Sequence, residues 1–330
     1  IFTALYGLRV LVLQLPLIFV FASVFDRVDV IRFAWVILWL SIPMTVLLVL
    51  QSNQPDSHIL NIGAGGLGTA SFDGALGRSR PSGTFSFISG VATFYGLAAS
   101  SLFILLYNSS IRLGGRIICI LAGIALVVAL PVSISRTLLG NYIAVILAVV
   151  TAQVISRAKL FPLFAGLLAV VLAIGIATRI PVFQDTSEAF MARWTTAGSQ
   201  YADRDEVGDT GVVVGQIQGR VLPDITGPFQ NLGNAPILGY GIGMGSNVGA
   251  QRLGTHNFEL GEGGWSISFG ELGLVLGLVF VIWRIALSFW ILRLALQAAA
   301  LGNQTPLILG GISIAIIMLG QLAQPTGLGF

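Results

Sequence analysis

Four arginines, one histidine and a few carboxylates carry most of the chemical capacity of this 330-residue chain. The arginines are Arg80 in Arg-Pro-Ser-Gly-Thr-Phe, Arg136 in Ser-Ile-Ser-Arg-Thr, Arg220 in Gln-Gly-Arg-Val, and Arg252 shortly before His256. A guanidinium suits a diphosphate, because its planar fork donates paired hydrogen bonds and stays charged at any relevant pH. Several converging on one lipid-linked pyrophosphate would each add ~1.5 to 3 kcal/mol and would stabilise charge building on the leaving group. No acidic metal-binding motif accompanies them, so a transferase built on this set is expected to be metal-independent and to need no cofactor. Arg136 has an alternative reading, as a cation that snorkels to headgroups or pairs with a carboxylate, and Arg80 has one as an interfacial anchor.

His256 is one of two histidines. With an ordinary pKa near 6.5 it can take a proton from a sugar hydroxyl, and a nearby carboxylate can orient the ring and stabilise the imidazolium. Glu271 is the carboxylate paired with it as catalytic, while Asn257, Glu259 and Glu262 are placed as acceptor-side or orienting groups. The alternative is a loop histidine bonded to backbone. His58, in a Pro/Asp/Ser loop, reads as structural.

The elements that must position these residues are membrane helices. The chain is 55% hydrophobic and 9% charged, with mean hydropathy +0.90, more apolar surface than a soluble fold of this length can bury. Net charge is +3, yet 16 of the 17 basic residues are scattered arginines, which argues against a nucleic-acid partner. Cys119, the lone cysteine, permits neither an internal disulfide nor a cysteine-based metal site. The chain starts at Ile1 within an apolar run and stops just after Gln-Pro-Thr-Gly, and so reads as part of a longer polypeptide.

A spanning helix needs roughly 20 apolar residues. That criterion predicts an all-α, polytopic bundle of eight spans over 3–25, 31–50, 85–107, 117–133, 137–156, 160–178, 266–283 and 304–322. The domains then run 1–178 for the N-terminal bundle with its loop 51–84, 179–265 for a large loop, and 266–330 for the C-terminal spans. Arg27, Arg32, Arg112, Arg116, Arg157, Lys159, Arg284 and Arg293 fall in short connections on one side, which the positive-inside rule makes cytoplasmic. The opposite side receives 11 of the 14 acidic residues. Within the large loop, Asp185-Thr-Ser-Glu188 resembles a helix-capping box, and Val212 to Leu222 reads as a second short interfacial helix.

Two glycine runs need separate readings. Gly63 to Gly68 formally matches G-x-G-x-x-G, but without a βαβ unit it is no dinucleotide signature. Gly239-Tyr-Gly-Ile-Gly243-Met-Gly245 reads as backbone turns that bring the loop against the bundle or let a substrate approach closely.

Taken in order, Ser133-Ile-Ser-Arg136-Thr opening a span, a long external loop, Pro236-Ile-Leu-Gly-Tyr-Gly-Ile-Gly243, His256-Asn257, and Glu271-Leu-Gly-Leu274 opening the next span resemble the O-antigen ligase/polymerase superfamily. The resemblance covers roughly residues 78 to 325. It implies a glycosyltransferase of the bacterial inner (plasma) membrane, multi-pass, with the large loop on the periplasmic side. The donor would be an undecaprenyl, or more broadly polyprenyl, pyrophosphate-linked glycan, and the acceptor a glycan or glycolipid. Membrane lipids would be its surroundings, and protein partners are not specified. By the same resemblance Arg136 belongs to the diphosphate-binding arginines and His256 takes the place of the acceptor base, with Arg80 and Arg220 following less closely. The Gly261-Glu-Gly-Gly-Trp265 stretch after His256-Asn257 departs from the ligase pattern and makes a polymerase the leading expectation. The alternatives are a ligase transferring glycan to lipid A core, and a non-catalytic membrane subunit or transporter. The last rests on sparse intramembrane charge, with Arg9 as the only cation expected well inside a span.

Overall fold

The computed structural model describes residues 2–9, 16–55, 57–61, 73–75, 78–85, 88–108, 111–157, 184–192, 225–226, 229, 237–244 and 263–320. Among these residues the secondary structure is helical apart from one short ladder. In chain order the elements are α1 (Phe2–Leu8), α2 (Pro16–Val24), α3 (Arg27–Ser52), β1 (Asp73–Ala75), β2 (Arg78–Ser79), α4 (Ile88–Asn108), α5 (Leu113–Val132), α6 (Arg136–Ser156), α7 (Gly264–Ala300) and α8 (Thr305–Met318). A further helical run covers 184–192. Strands β1 and β2 pair antiparallel. They make a small exception to the all-α expectation, inside the Gly/Ser-rich loop.

Five of these helices are long and apolar enough to cross a membrane: α3, α4, α5, α6 and α7. The chain is therefore a helical membrane protein. Their starts and stops follow local chemistry. Asp26 caps α3 in a reciprocal box with Asp29, and Ser135 caps α6 by accepting from the Leu138 N–H at 3.3 Å. Arg157, at φ 53°, ends α6 in the left-handed conformation.

The structure divides into two compact units that interleave along the chain. One comprises 25–193 and 291–313. In it α3, α4, α5 and α6 pack together around buried hydroxyl and amide contacts. Thr45 Oγ1 and Tyr95 Oη lie 2.6 Å apart, Thr45 Oγ1 also reaches the Ala125 carbonyl at 3.4 Å, and Asn141 Nδ2 donates to the Ala92 carbonyl at 2.9 Å. These contacts fix the directions of the helices. Thr45 and Ala125 each stand seven residues from the C-terminal end of their helix, and Tyr95 seven from the N-terminal end of α4, about 10 Å at 1.5 Å per residue. Asn141 is five residues into α6. The ends of α3 and α5 and the beginnings of α4 and α6 thus form one end of the unit.

The opposite end is closed by a glutamine cluster. Gln153 Nε2 donates to Gln304 Oε1 at 3.0 Å, and Gln304 Nε2 to Ser156 Oγ at 2.7 Å. The first turns of α8 then rise beside α6, where Gly311 meets Val145 and Ala148 closely. A Cβ there would strike the facing helix, so a small residue permits the approach.

The other unit comprises 1–24, 194–290 and 314–330. Its core gathers Trp265, Phe269 and Val281, flanked by Ile225, Leu274, Ile285 and Leu319, with Phe229 edge-on to Trp265. Here the structure corrects the expected span 266–283. At Gly273 (φ 82°, ψ 179°) the helical conformation breaks. In a straight helix Phe269 and Gly277 would be ~12 Å apart, yet a Cβ on Gly277 would lie 3.0 Å from the Phe269 Cα. Residues 264–272 therefore fold back along 274–285 as a helical hairpin. Nine residues rise only ~14 Å, so the first arm cannot cross a bilayer; the second arm runs on to Ala300.

Other expectations change as well. Within the expected span 3–25 the described residues form α1 and α2, and residues 10–15 between them lie outside the described residues. Arg284 and Arg293 are not in a connection but inside α7, and Arg284 is only 1% exposed. That overturns Arg9, which is exposed, as the sole intramembrane cation. Asp185 lies within the helix 184–192 rather than capping it, because its own backbone is helical. Segments 160–178, 212–222 and 63–68 lie outside the described residues.

Candidate functional site

Arg136 is positioned by a junction of three residues, Ser133 to Ser135, between α5 and α6. α5 ends through Pro131, and the Ser133 and Ile134 N–H groups donate to the carbonyls of Ala129 and Pro131 at 3.0 and 3.1 Å. Ser133 Oγ donates to the Leu130 carbonyl at 3.0 Å. Ile134 then takes φ 46° while 1% exposed. A buried β-branched residue in the left-handed region is strained, and such strain persists only where surrounding packing imposes it. Ser135 caps the next helix, and Arg136 follows as its first residue, half-buried, with Nε shielded from solvent.

Arg80 is held by different means at the same end of this unit. The turn after it is clamped to the end of α3 by Gln51, whose Oε1 accepts from the Gly83 N–H at 2.8 Å and whose Nε2 donates to the Gly83 and Leu60 carbonyls at 3.1 and 2.7 Å. Gly83, at φ 63°, lies against Met44 and Leu48 in a backbone conformation that favours glycine. Arg80 is half-buried with its Nε shielded, as in Arg136. His58 stands in the preceding loop, where its Nδ1 accepts from the Leu60 N–H at 3.3 Å, in keeping with a structural role.

Glu271 belongs to the other unit. It is 5% exposed and sits two residues before the Gly273 break, at the end of the short hairpin arm. The carbonyls that this arm leaves bare are taken up by the glycine-rich segment. Tyr240 N–H donates to the Gly270 carbonyl at 2.8 Å, and Gly241 N–H to that of Glu271 at 3.1 Å. Gly239, Gly241 and Gly243 all have positive φ, and Gly243 packs closely on Gly7 and the Thr3 carbonyl. The two sequence motifs Pro236–Gly243 and Glu271–Leu274 are thus one structural feature, a strap laid across the hairpin turn.

Arg80 and Arg136 share one end of their unit, and Glu271 lies in the strap-and-hairpin feature of the other. Arg220, Arg252, His256, Asn257, Glu259 and Glu262 lie outside the described residues. What sequence reasoning missed is Arg284. Its Nε donates to the Ile317 carbonyl at 2.7 Å, and its Nη2 to those of Ile316, at 3.2 Å, and Gly320. Trp265 Nε1 donates to Met318 O at 2.7 Å. Ile316, Ile317 and Met318 form the last turn of α8 and Gly320 lies two residues past it, so the guanidinium sits at the negative end of a helix dipole. Phe280 lies one turn before it, with the Arg284 Cζ 5.8 Å from the ring centroid. The available signal was the apolar run that continues for a further 16 residues beyond Arg284 to Ala300.

This architecture defines a polytopic helical membrane protein with two half-buried arginines, Arg80 and Arg136, at one end of a helix bundle. No protein-family model, curated protein or solved structure matched the chain.

Proposed function

We propose that the chain is a membrane glycosyltransferase of the glycan-polymerase type, as its resemblance to the O-antigen ligase/polymerase superfamily implies. It would use a polyprenyl-pyrophosphate-linked donor at the external face of a bacterial inner membrane. The observation that carries this reading is the placement of Arg80 and Arg136, two half-buried guanidinium groups, at the same end of one unit. The exposed arginines gather at the opposite end, and by the positive-inside rule the Arg80 and Arg136 end is the external one.

In the reaction the acceptor hydroxyl oxygen bonds to the anomeric carbon of the donor while the bond from that carbon to the pyrophosphate oxygen breaks. Arg80 and Arg136, with Arg220 and Arg252 in the same role, bind the pyrophosphate and stabilise the charge it gains on leaving. His256 takes the hydroxyl proton, with Glu271 supporting the imidazolium. Any crossings beyond α3, α4, α5, α6 and the second arm of α7, and the large external loop, belong to this proposal. Arg136→Ala should abolish glycan extension in membranes supplied with lipid-linked repeat units at unchanged protein abundance; undiminished product would refute the reading. Offering the purified enzyme lipid A core in place of a second repeat unit separates a ligase from a polymerase.

A second reading, a transporter or non-catalytic subunit, is favoured by the hairpin break at Gly273 and by Arg284 buried inside α7. Interrupted helices and buried intramembrane charge are features of transport proteins. Glycan extension that survives Arg136→Ala, together with solute uptake that depends on Arg284, would favour it.

A further inference from the structure

The two ends of the four-helix unit present arginine differently. At the end where α4 and α6 begin, Arg80 and Arg136 are half-buried. At the other end Arg27, Arg32, Arg112, Arg116 and Arg157 are all exposed, and Arg293 is exposed on α7, seven residues (~10 Å) before its Ala300 end. Among the described residues, the acidic residues that stand beside these arginines are Asp26 and Asp29. Both are engaged in the cap of α3, and Asp29 also binds Arg32 at 3.2 Å.

Arg112 and Arg116 have no such partner. They stand four residues apart at the start of α5, where side chains of like charge are neighbours and repel. No carboxylate pairs with either among the described residues. Arg112 occupies the N-cap position without a side-chain cap bond, at the positive end of the helix dipole, which disfavours cations. Gly114 leaves room beside them, since a Cβ added there would meet no atom within 4 Å. Immediately inward the helices are lipid-like: Leu113, Ile117, Ile120, Leu121 and Ile124 are exposed on α5, and Phe33 and Trp39 on α3.

We propose that this end of the unit is a docking surface for anionic phospholipid headgroups, with Arg112 and Arg116 as its centre and Arg157 and Arg293 contributing. The surface joins exposed guanidinium groups directly to exposed apolar helix, which is the profile of a lipid molecule: a phosphate above an acyl chain. Guanidinium matches phosphate through paired hydrogen bonds, and each basic side chain near an anionic leaflet contributes attraction that salt screens. A bound headgroup relieves the Arg112 and Arg116 repulsion. Arg293 reaches the same level by extending its side chain from within the apolar zone. The proposal is independent of the catalytic reading.

The test uses the full chain purified in a non-ionic detergent, with phosphatidylglycerol, phosphatidylcholine or inorganic phosphate added. Phosphatidylglycerol should raise the thermal midpoint by several degrees and phosphatidylcholine should not, and the shift should shrink between low and 1 M salt. Arg112→Gln with Arg116→Gln should remove most of the phosphatidylglycerol shift, whereas Arg32→Gln, whose side chain is already paired, should retain it. Native mass spectrometry of the unaltered protein should show phosphatidylglycerol retained in excess over phosphatidylcholine. Equal effects of the two lipids, a full shift in the double variant, no excess of retained phosphatidylglycerol, or the same shift from inorganic phosphate would each overturn the proposal.

Discussion

The backbones of Gly239 and Gly273 lie against each other, both at positive φ (76° and 82°), so that a Cβ on either residue would overlap the main chain of the other. This contact joins the strap to the turn of the helical hairpin. It exists because the short arm exposes carbonyls that need donors and because only glycine brings two backbones this close.

Gly273→Ala should therefore destabilise the protein by about 1–3 kcal/mol, the range for a residue forced into a strained backbone region. Gly140→Ala, in α6 with open space around the new methyl, should stay within ~1 kcal/mol of the native protein. Thermal unfolding in detergent measures both. Equal midpoints for the two variants would show that the strap contact does not hold the hairpin.

Replacing Arg284 should rank by hydrogen-bonding capacity. Arg284→Met removes the guanidinium donor from the Ile317 and Gly320 carbonyls, at a cost on the order of 1–3 kcal/mol per bare buried group, while Ile316 keeps its bond from the Gly320 N–H at 2.9 Å. Arg284→Lys keeps the charge but not the fork and should fall between. A Met variant as stable as the native protein would remove the capping role.

The Thr45 and Tyr95 pair should behave as polar glue between α3 and α4. Tyr95→Phe and Thr45→Val should each cost about 0.5–1.5 kcal/mol. The double variant should cost less than the sum of the two, because both remove the same 2.6 Å contact. Strict additivity in a double-mutant cycle would rule out direct coupling.

Acid should loosen the start of α3. The Asp29 backbone N–H, foremost, and then that of Val28 hold the Asp26 carboxyl below its usual value. A carboxyl depressed in the folded state contributes stability that is present above its unfolded pKa, near 3.8, and is lost as pH falls through the folded value. Hydrogen exchange at the Asp29 amide should be slow at neutral pH and quicken, relative to the centre of α3, below about pH 4. Asp26→Asn should flatten that pH dependence.

Much of the architecture was legible in one dimension. The spans now seen as α3, α4, α5 and α6 follow from unbroken apolar runs, and the boundary at Ser133 to Arg136 from a polar interruption in a run too long for one crossing. These are local properties, since a lipid environment obliges each segment to satisfy its own backbone. The polar residues suited to diphosphate chemistry were readable for the same reason: in so apolar a chain, each guanidinium is conspicuous.

What only the tertiary structure decided depends on contacts between distant segments. Apolarity alone reads 266–283 as one span, whereas the chain turns at Gly273 because a remote segment, 237–244, supplies the donors and the bare backbone that the turn needs. Arg284 read as the edge of a helix because charge ordinarily marks a boundary. It lies inside because the end of α8, 32 residues and more further on, offers three carbonyls that make a buried cation tolerable. The sharing of one end by Arg80 and Arg136 likewise follows from helix directions set by Thr45, Tyr95 and Asn141. Hydropathy records how each residue partitions into lipid; it does not record which distant backbone will be there to meet it.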